Sequence, residues 1–488
     1  MSWSSLPSTV GVPNEVKSQL DYQLPAEARS NSIRIYASNN PTISQTYTVQ
    51  AGAIQDGLSF PSSQILFDFP VSQSPSAFLD TRLSTLHYKM TISTVSAGTT
   101  CALTSGYLRS NANSFFDLLR VRGQSGGTLE EIPEYGLLND TLLALTMDNS
   151  TRDGLSNQYG FLSGTGIDSQ GTALGFFSGN ATLTAGQIET RSFAVPLLSS
   201  VVGVLADSFL NIGRTKKLVL EMTTTSVLPM TITAGTAGAV GTYSITLSDF
   251  YLSAEVIDIG HSALQMIDQT LIDGKSYSHA TAYKTVSTQL PANTAGSVNL
   301  PLGITGSSVK SLFVRFYESG TAGTGNSCNG KYDSKCPLLN SIGFNINGVN
   351  VPSAPLNPLL KPCDVFRNLQ IAMGHYNSNT FQSAITPINF QKLSAGGNTT
   401  SLTVNNTTQD YNWTTGSSVG AQAQFIYGES IEKVCKKGIN SGQNLNSAKV
   451  NLNLSVASPI TNSHTAYVHY MFDCIIIGEI MFYYIAIK

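Results

Sequence analysis

Histidine and glutamate are the residue types in this sequence that most often carry chemistry, so their spacing is considered first. Of the six histidines, His464 and His469 lie closest together, in the strand-like segment TNSHTAYVHY. A separation of five residues places two side chains on opposite faces of a strand, where they cannot easily share one metal ion. We therefore expect histidines with structural roles, and the sequence predicts no metal site.

Three carboxylates, Glu130, Glu131 and Glu134, could form an acid/base cluster. The apolar residues that follow them recur at helical spacing, at Tyr135, Leu138, Leu142 and Leu145. Carboxylates are favoured at the start of a helix, where they meet the positive end of its dipole. The pattern therefore indicates a helix that begins near these glutamates, and it predicts no catalytic residue.

The remaining candidate ligands give no cofactor site. Asp249 and Asp258 lack the spacing of a calcium loop, and the Gly-rich segment GTAGTGNSCNG lacks the lysine of a phosphate-binding loop. Cys328 and Cys336 share the loop GNSCNGKYDSKC. They could form a local disulfide, although two free thiols in an intracellular product are favoured. The sequence thus predicts no cofactor.

The charge content of the chain limits its function classes. Only 12% of the 488 residues are charged, the net charge is -3, and 41% are hydrophobic. Soluble domains have about 25% charged residues. A weakly charged surface is typical of a protein buried against copies of itself, or of an all-β protein with Thr- and Asn-rich loops. Charges cancel within residues 1–45, so no basic arm for direct nucleic-acid binding is predicted.

The elements that must position these residues are mostly strands. Apolar residues alternate with polar ones in five segments, which predicts strands with one face on a core. The alternating apolar sets are Leu86, Tyr88, Met90 and Ile92; Leu218, Leu220 and Met222; Tyr243, Ile245 and Leu247; Phe344 and Ile346; and Val450, Leu452, Leu454 and Val456. The apolar stretch 471–487 is interpreted as buried terminal strands. The N-terminal sequence MSWSSLPSTVGV predicts no signal peptide.

Each half of the chain repeats one order of features. Early strands are followed by a helix, a long loop region and closing apolar strands. The second helix is predicted from Asp364, as its cap, to Met373, with Gly374 ending it. We place the boundary near residues 259–266, and we expect the long loops 148–190 and 376–425 to form exposed towers.

Four stretches together resemble one family of proteins. They are FLDTRLSTLHYKMTI with NSFFDLLRVRG; EEIPEYGLLNDTLLAL; FAVPLLSSVVGVLADSFLNIGRTKKLVLEM; and IYGESIEKVCKKGINSGQNLNSAKVNLNLSV. Their content and order, over about residues 30–488, resemble the double-jelly-roll major capsid proteins. That class includes adenovirus hexon and the shells of virophages, polinton-like viruses and large DNA viruses, and the pattern is closest to the small virophage and polinton-like shells.

The resemblance implies an all-β chain of two tandem eight-stranded jelly-roll β-sandwiches with short inserted helices. It implies an N-terminal arm (1–45), a first jelly roll (46–262) and a second jelly roll (263–488). Three copies would form a pseudo-hexagonal capsomer that tiles an icosahedral shell around a DNA genome. Implied partners are the chain itself, penton proteins and minor or cement proteins, with no direct sequence-specific nucleic-acid binding, and an internal membrane underneath is left open.

Within the arm, Tyr22, Leu24, Ile33, Ile35 and Tyr36 are candidates for docking on another subunit, although residues 1–20 could equally be disordered. In the outer loops, Tyr411 and Trp413 could contact a host, but packing inside the tower is favoured.

Three other functions remain open. An extracellular β-sandwich binding module, such as a fibre or adhesin, would have a secretory signal or an aromatic binding cluster, and neither is recognised. A carbohydrate-cleaving sandwich would need two opposed carboxylates and stacking tryptophans, but the chain has only Trp3 and Trp413. A single-jelly-roll capsid protein of an RNA virus is disfavoured by the neutral arm and the two halves.

Overall fold

The computed structural model describes most of the chain as strands joined by short helices. The described residues are 29–50, 54–55, 57–70, 74–95, 102–108, 110–123, 126–160, 188–206, 209–213, 217–235, 240–270, 275–318, 332–374, 383–385, 390–393, 401–404, 407–410, 414–415, 423–432, 441–479 and 486–487. Among these residues, no helix combines the length and apolarity needed to cross a membrane.

The first sandwich is built from strands β1 to β13. They are β1 (Arg29–Tyr36), β2 (Ile43–Gln50), β3 (Ile54–Gln55), β4 (Gln64–Asp68), β5 (Ala77–Val95), β6 (Ala102–Leu108), β7 (Phe116–Gly123), β8 (Thr128–Pro133), β9 (Ile188–Pro196), β10 (Phe209–Asn211), β11 (Leu218–Thr224), β12 (Met230–Gly235) and β13 (Val240–Asp258). One sheet has the order β1-β13-β5-β10, in which β2 also pairs with β13 and β9 with β5. The other sheet is β4-β11-β7-β8, and a small sheet has the order β3-β12-β6.

The second sandwich is built from the later strands. They are β14 (Lys275–Leu290), β15 (Gly296–Leu302), β16 (Val309–Glu318), β17 (Leu339–Ile346), β18 (Val349–Leu356), β19 (Lys392–Leu393), β20 (Ser401–Val404), β21 (Thr407–Asp410), β22 (Thr414–Thr415), β23 (Ile426–Ser430), β24 (Val450–Val456), β25 (His464–Glu479) and β26 (Ala486–Ile487). One sheet is β14-β25-β16-β23 with β26 on β25, and the other is β15-β24-β17-β18. Two-stranded pairs β19-β22 and β20-β21 lie outside them.

Both sandwiches have the same strand order. If the eight principal strands of each are counted along the chain, the sheets read 1-8-3-6 and 2-7-4-5 in both. In the first sandwich β1 and β2 share position 1, and β9 and β10 share position 6. Two four-stranded antiparallel sheets connected in this way form a jelly roll. The predicted fold class, two tandem jelly rolls, is therefore confirmed, and the repeat is visible in topology although the sequences of the halves differ.

The helices lie between the strands. They are α1 (Tyr135–Thr146), α2 (Asn149–Gly154), α3 (Ser156–Tyr159), α4 (His261–Thr270) and α5 (Pro362–Ala372), and a 3-10 helix spans Ala112–Phe115. Helices α1 and α5 both follow strand 5 of their sandwich and precede strand 6, so they hold the same place in the order of elements, but α1 packs against β7 and the 3-10 helix whereas α5 packs against β16 and β23. The predicted boundary at 262 and 263 falls at the start of α4, which connects β13 to β14.

The cores lie between the paired sheets, as the alternating patterns predict. Leu86, Tyr88, Met90 and Ile92 on β5 are each at most 2% exposed, and the predicted apolar residues of β11, β13, β17 and β24 are also buried. Side chains on these strands alternate between the core and the outer face, because successive residues point to opposite sides of a sheet. The segment predicted as buried terminal strands contains the end of β25 and β26.

Part of the segment predicted as an arm belongs to the first sandwich. Strand β1 pairs antiparallel with β13 along its whole length, from Arg29 opposite Asp258 to Tyr36 opposite Tyr251. Ile35 is buried in the core of its own sandwich, so it cannot dock on another subunit, whereas Tyr36 is exposed. Alternation along an edge strand sends these neighbours to opposite faces.

Candidate functional site

The contact between the two sandwiches contains several buried polar groups that connect distant parts of the chain. Helix α1 lies in this contact, and every residue from Tyr135 to Leu145 is buried. A helix with leucines on all sides has to be covered on all sides. The first sandwich covers one side of α1 and the second covers the other, so the helix is an internal element of the contact.

An ion pair joins α1 to β16 at the centre of this contact. Arg315 Nη1 donates to Asp140 Oδ2 at 2.6 Å and to Thr141 Oγ1 at 3.0 Å, and Arg315 Nη2 donates to the carbonyl of Tyr332 at 2.9 Å. The side chains of Arg315 and Asp140 are 1% and 2% exposed. Asp140 also accepts from Ser110 Oγ. Buried charges require such partners, because their transfer from water is costly.

The outer face of the 1-8-3-6 sheet in the second sandwich is covered by two helices. Arg315 on β16 meets α1, and α5 of the same sandwich packs against β16 and β23, where Ser311 Oγ donates to the carbonyl of Ala372 at 2.7 Å. Phe313 and His469, which are register partners on β16 and β25, are both 0% exposed and lie on the same face as Arg315. Thr285 on β14 faces His469 and shares a hydrogen bond of 2.8 Å with its Nδ1. Both faces of this sheet are therefore covered, which explains why the β16 segment SLFVRFY is apolar at almost every position.

Three further hydrogen bonds extend the same contact. Tyr332 Oη donates to the carbonyl of Ser114 in the 3-10 helix at 3.0 Å. The carbonyl of Ala144 accepts from Ser383 Oγ at 3.1 Å and from the backbone N–H of Ala384 at 3.0 Å. Backbone carbonyls of the first sandwich thus receive donors from two separate loops of the second.

Residue 136 has to be glycine because the 3-10 helix and Tyr332 leave no room for a side chain there. A Cβ atom at this position would lie 2.7 Å from Tyr332 Oη, 2.8 Å from the carbonyl oxygen of Asn113 and 2.9 Å from Ser114 Cα. Two of these three are backbone atoms that cannot rotate away. The helix therefore approaches the 3-10 helix and the second sandwich only if residue 136 has no side chain.

Gly136→Ala is expected to lower the free energy of unfolding by about 1–3 kcal/mol, the usual cost of overpacking. Helix propensity alone would predict the opposite, since alanine is better than glycine inside a helix. Chemical denaturation would measure the difference. Gly154→Ala is the matched control, because no atom lies within 4 Å of a Cβ added there. Equal or higher stability of Gly136→Ala would contradict this packing.

Glu130 has a different role from the predicted one. It lies in β8, before the helix, and is 7% exposed. Its carboxylate accepts from Ser199 Oγ at 2.5 Å, from Ser200 Oγ at 2.5 Å and from the Ser200 backbone N–H at 2.8 Å. Burial raises the pKa of Glu130, while these donors act in the opposite direction. Helix α1 begins at Tyr135, as the apolar spacing predicts, but Glu130 belongs to strand β8 and not to the helix start.

Cys474 on β25 of the second sandwich lies close enough to the Glu130 carboxylate for its thiol to be affected by that charge. Burial, together with the negative charge of Glu130, raises the pKa of the Cys474 thiol to about 12, although a hydrogen bond with Ser200 acts in the opposite direction. A thiol with this pKa is a poor nucleophile at neutral pH. The arrangement of Glu130, Ser200 and Cys474 therefore joins β8 and β25 and does not resemble a nucleophile activated by a base.

The structure also differs from the predicted roles of Glu131, Glu134 and Asp364. Glu131 is in β8 and pairs with Arg120, whereas Glu134 precedes α1 with φ of 55° and makes no side-chain cap. Helix α5 begins at Pro362 after Lys361, so Asp364 lies within its first turn and does not cap it. Gly374 follows the helix with φ of 73°, as predicted for its end.

The remaining candidate residues are not brought together. His464 and His469 are both buried on β25, and burial lowers their pKa values to about 4 and about 3. Asp249 pairs with Lys89 at 2.6 Å. Asp258 accepts from Ser76 Oγ, which is the main reason why its pKa is lowered.

Several predicted features lie outside the described residues. They are Cys328, Tyr411, Trp413, residues 1–28 and most of the loops 148–190 and 376–425. Cys336 is described and buried. Because Cys328 lies outside the described residues, the favoured prediction of two free thiols and the alternative of a disulfide between them both stay predictions.

Sequence reasoning missed Arg315 and Asp140, the central pair of the contact. A signal was present, since each is a charged residue inside a nearly continuous apolar run, in SLFVRFY and LLNDTLLAL. A charge in such a run has to find a partner when the run is buried on all sides. The signal identifies two candidates for burial, but it does not pair them.

Comparison with known proteins gives similarity in solved structures only. No family model and no curated protein matches the sequence. The structure is similar to PBCV-1 VP54, as fitted into a reconstruction of the virophage Sputnik, with a TM-score of 0.49, 11% identity, and coverage of 91% of this chain and 96% of that chain. The Faustovirus major capsid protein is similar with a TM-score of 0.49 and 9% identity, over 96% of this chain and 92% of that chain. The mavirus major capsid protein is similar with a TM-score of 0.45 and 10% identity, over 90% of this chain and 88% of that chain.

Proposed function

We propose that this chain is the major capsid protein of an icosahedral DNA virus, and that three copies close into a capsomer. The observation that carries the proposal is the strand order 1-8-3-6 and 2-7-4-5, which occurs twice in one chain, in two sandwiches that follow one another along the sequence. The similar structures are named as capsid proteins of viruses, and the proposal for this chain rests on its own strand order and contacts.

The contact between the sandwiches supports a ring. It is heterologous, because the first sandwich contributes the α1 side and the second contributes the outer face of a sheet. A heterologous contact that is repeated around an axis closes into a ring when the rotation divides a full turn. Two similar sandwiches per chain let three chains present six nearly equivalent units, which can tile a hexagonal lattice.

The composition agrees with such a role. A chain with 12% charged residues has few charges to desolvate when its surface is covered by neighbours. We propose that it has no enzymatic activity and no sequence-specific contact with nucleic acid. We further propose as partners a separate penton protein, minor or cement proteins and an internal membrane, and as location the virion.

The solution mass of the full chain tests the capsomer. Size-exclusion chromatography with light scattering is expected to give a trimer of about 156 kDa, three times 52.0 kDa. Electron microscopy of the same sample should show particles with near-sixfold outline. A monomer of 52.0 kDa that does not change with concentration would refute the capsomer. It would favour the alternative, an extracellular binding module such as a fibre or adhesin.

A further inference from the structure

The two sandwiches have separate cores, and the contact between them lies outside both. Each sandwich buries its own core between its paired sheets, with Tyr88 and Ile92 in the first and Phe344 and Leu452 in the second as examples. The chain passes from one sandwich to the other once, through α4. An opening of the contact would therefore leave both cores covered. Such a local opening requires less free energy than the unfolding of a core.

Buried polar atoms without a hydrogen-bond partner are concentrated at this contact. Among the described residues, fourteen buried side-chain nitrogen and oxygen atoms have no such partner, and six of the fourteen belong to four residues of the contact. They are both amide atoms of Asn113 and of Asn139, together with Arg315 Nε and His469 Nε2. All four residues are at most 1% exposed. Such groups are costly while they stay buried, so hydration of their atoms favours an open contact.

His469 is a titratable group of the contact whose ring has no carboxylate partner among the described residues. From β14 it is faced by the uncharged Thr285, which shares a hydrogen bond with Nδ1. From β16 it is faced by Arg315, on the same side of the sheet. Helix α1 contributes Asp140, but Arg315 already donates to Oδ2 of this carboxylate and Ser110 donates to Oδ1. The nearby carboxylate is therefore occupied by other donors.

Two further carboxylates in this part of the molecule also have their own partners. Asp473, four residues along β25, is 2% exposed and pairs with Lys310 at 2.6 Å. Glu130 on β8 accepts hydrogen bonds from two serines of its own sandwich. Burial raises the pKa of Glu130, so a falling pH favours its buried form and opposes an opening. A test of His469 therefore has to compare variants that share Glu130.

A proton on His469 would place two cations beside one carboxylate in a buried site. The protonated imidazole has two N–H donors. Its Nδ1 can donate to Thr285, but its Nε2 has no acceptor among the described residues. The imidazolium and the guanidinium of Arg315 repel each other, and the repulsion is stronger in a buried site than in water. Separation of the sandwiches hydrates both cations and screens this repulsion.

We propose that the contact between the two sandwiches opens reversibly in mild acid, and that protonation of His469 drives the opening. A hydrated His469 in the open contact takes up a proton near pH 6.5. In the closed contact, burial and then the charge of Arg315 lower its pKa to about 3. Each pH unit below 6.5 therefore raises the ratio of open to closed contact about tenfold. The contact lies within one chain, so the inference does not depend on the proposed capsomer.

Hydrogen exchange of the full chain, followed by mass spectrometry and corrected for the intrinsic effect of pH on amide exchange, tests the opening. Because an open contact uncovers α1, peptides from α1 are expected to lose about 100-fold more protection between pH 6.5 and 4.5 than peptides from the core strands β5 and β24. A return to neutral pH should restore the protection. An equal loss in α1 and in the core strands, or no loss in α1, would overturn the inference.

His469→Gln tests whether this histidine drives the opening. Without the titrating group, the protection of α1 should change at most about threefold over the same pH range. His464→Gln is the matched control, because His464 is a buried histidine of the same strand that lies opposite Glu318, the last residue of β16. It should keep the loss of about 100-fold. A wild-type loss in His469→Gln would refute the role of His469. If that variant does not fold, the comparison of α1 with the core strands in the wild type and in His464→Gln still decides whether the contact opens.

Discussion

Arg315→Met is expected to lower the free energy of unfolding by about 3–5 kcal/mol, because it leaves the buried Asp140 without its cationic partner. Asp140 is 2% exposed and cannot recover its hydration while the two sandwiches stay in contact. Thr141 and the carbonyl of Tyr332 lose their donor in the same step. Unfolding in denaturant, followed by far-ultraviolet circular dichroism, would measure the decrease in the free energy of unfolding.

Two control variants test whether the loss of stability comes from the burial of Asp140 or simply from the removal of a positive charge. Lys89→Met removes a cation from the exposed pair with Asp249, and it should cost at most about 1 kcal/mol. The double variant Arg315→Met with Asp140→Leu removes both charges, and it is expected to recover most of the loss, since an apolar pair can replace a buried ion pair. Equal effects of Arg315→Met and Lys89→Met would show that Arg315 is not buried in the contact.

The second large effect is a loss of stability in mild acid caused by His469. Burial is the main reason why the pKa of His469 is lowered to about 3, and the positive charge of Arg315 adds to it. In the unfolded chain a histidine takes up a proton near pH 6.5. The stabilising contribution of the neutral imidazole is therefore complete above pH 6.5 and is lost progressively as the pH falls toward 3.

The magnitude follows from the width of this window. Each pH unit within it changes the free energy of unfolding by about 1.4 kcal/mol per group, so His469 contributes a loss of roughly 2–3 kcal/mol between pH 6.5 and 4.5. His464, with a pKa lowered to about 4 mainly by burial, adds a loss over the same interval. Glu130 and Glu429 have the opposite effect on stability above pH 4.5. Burial raises their pKa values in the folded chain, so a falling pH protonates the folded chain first and stabilises it.

A comparison with His469→Gln removes the contribution of all other groups. The variant keeps a polar side chain of similar size, and its stability should fall less steeply than that of the wild type between pH 6.5 and 4.5. Thr285→Val is the matched control, because it removes the hydroxyl beside His469 and leaves the imidazole in place. Its pH dependence should follow the wild type. Parallel curves for His469→Gln and the wild type would disprove a buried neutral imidazole.

The fold was largely predictable because its signals are local. Leu86, Tyr88, Met90 and Ile92 alternate with polar residues, and a strand with one face on a core requires this alternation whatever its partners are. The two helices were predictable from their apolar spacing. Helix α1 begins at Tyr135, the first residue of that spacing, but the place of Glu130 and Glu131 was not predictable, because both continue strand β8 through pairing with β7, a contact that no local pattern records.

Local sequence patterns specify the strands, the shared order of features in the two halves and the low charge content. The tertiary structure alone decided that Arg315 meets Asp140, 175 residues away, and that Glu130 meets Ser199 and Ser200. It alone decided which sheet face is covered and which is open. The physical reason is that periodicity fixes only which side of a strand is apolar. Which element covers that side depends on how the sheets of two sandwiches stack, and this is set by contacts between residues far apart in the chain.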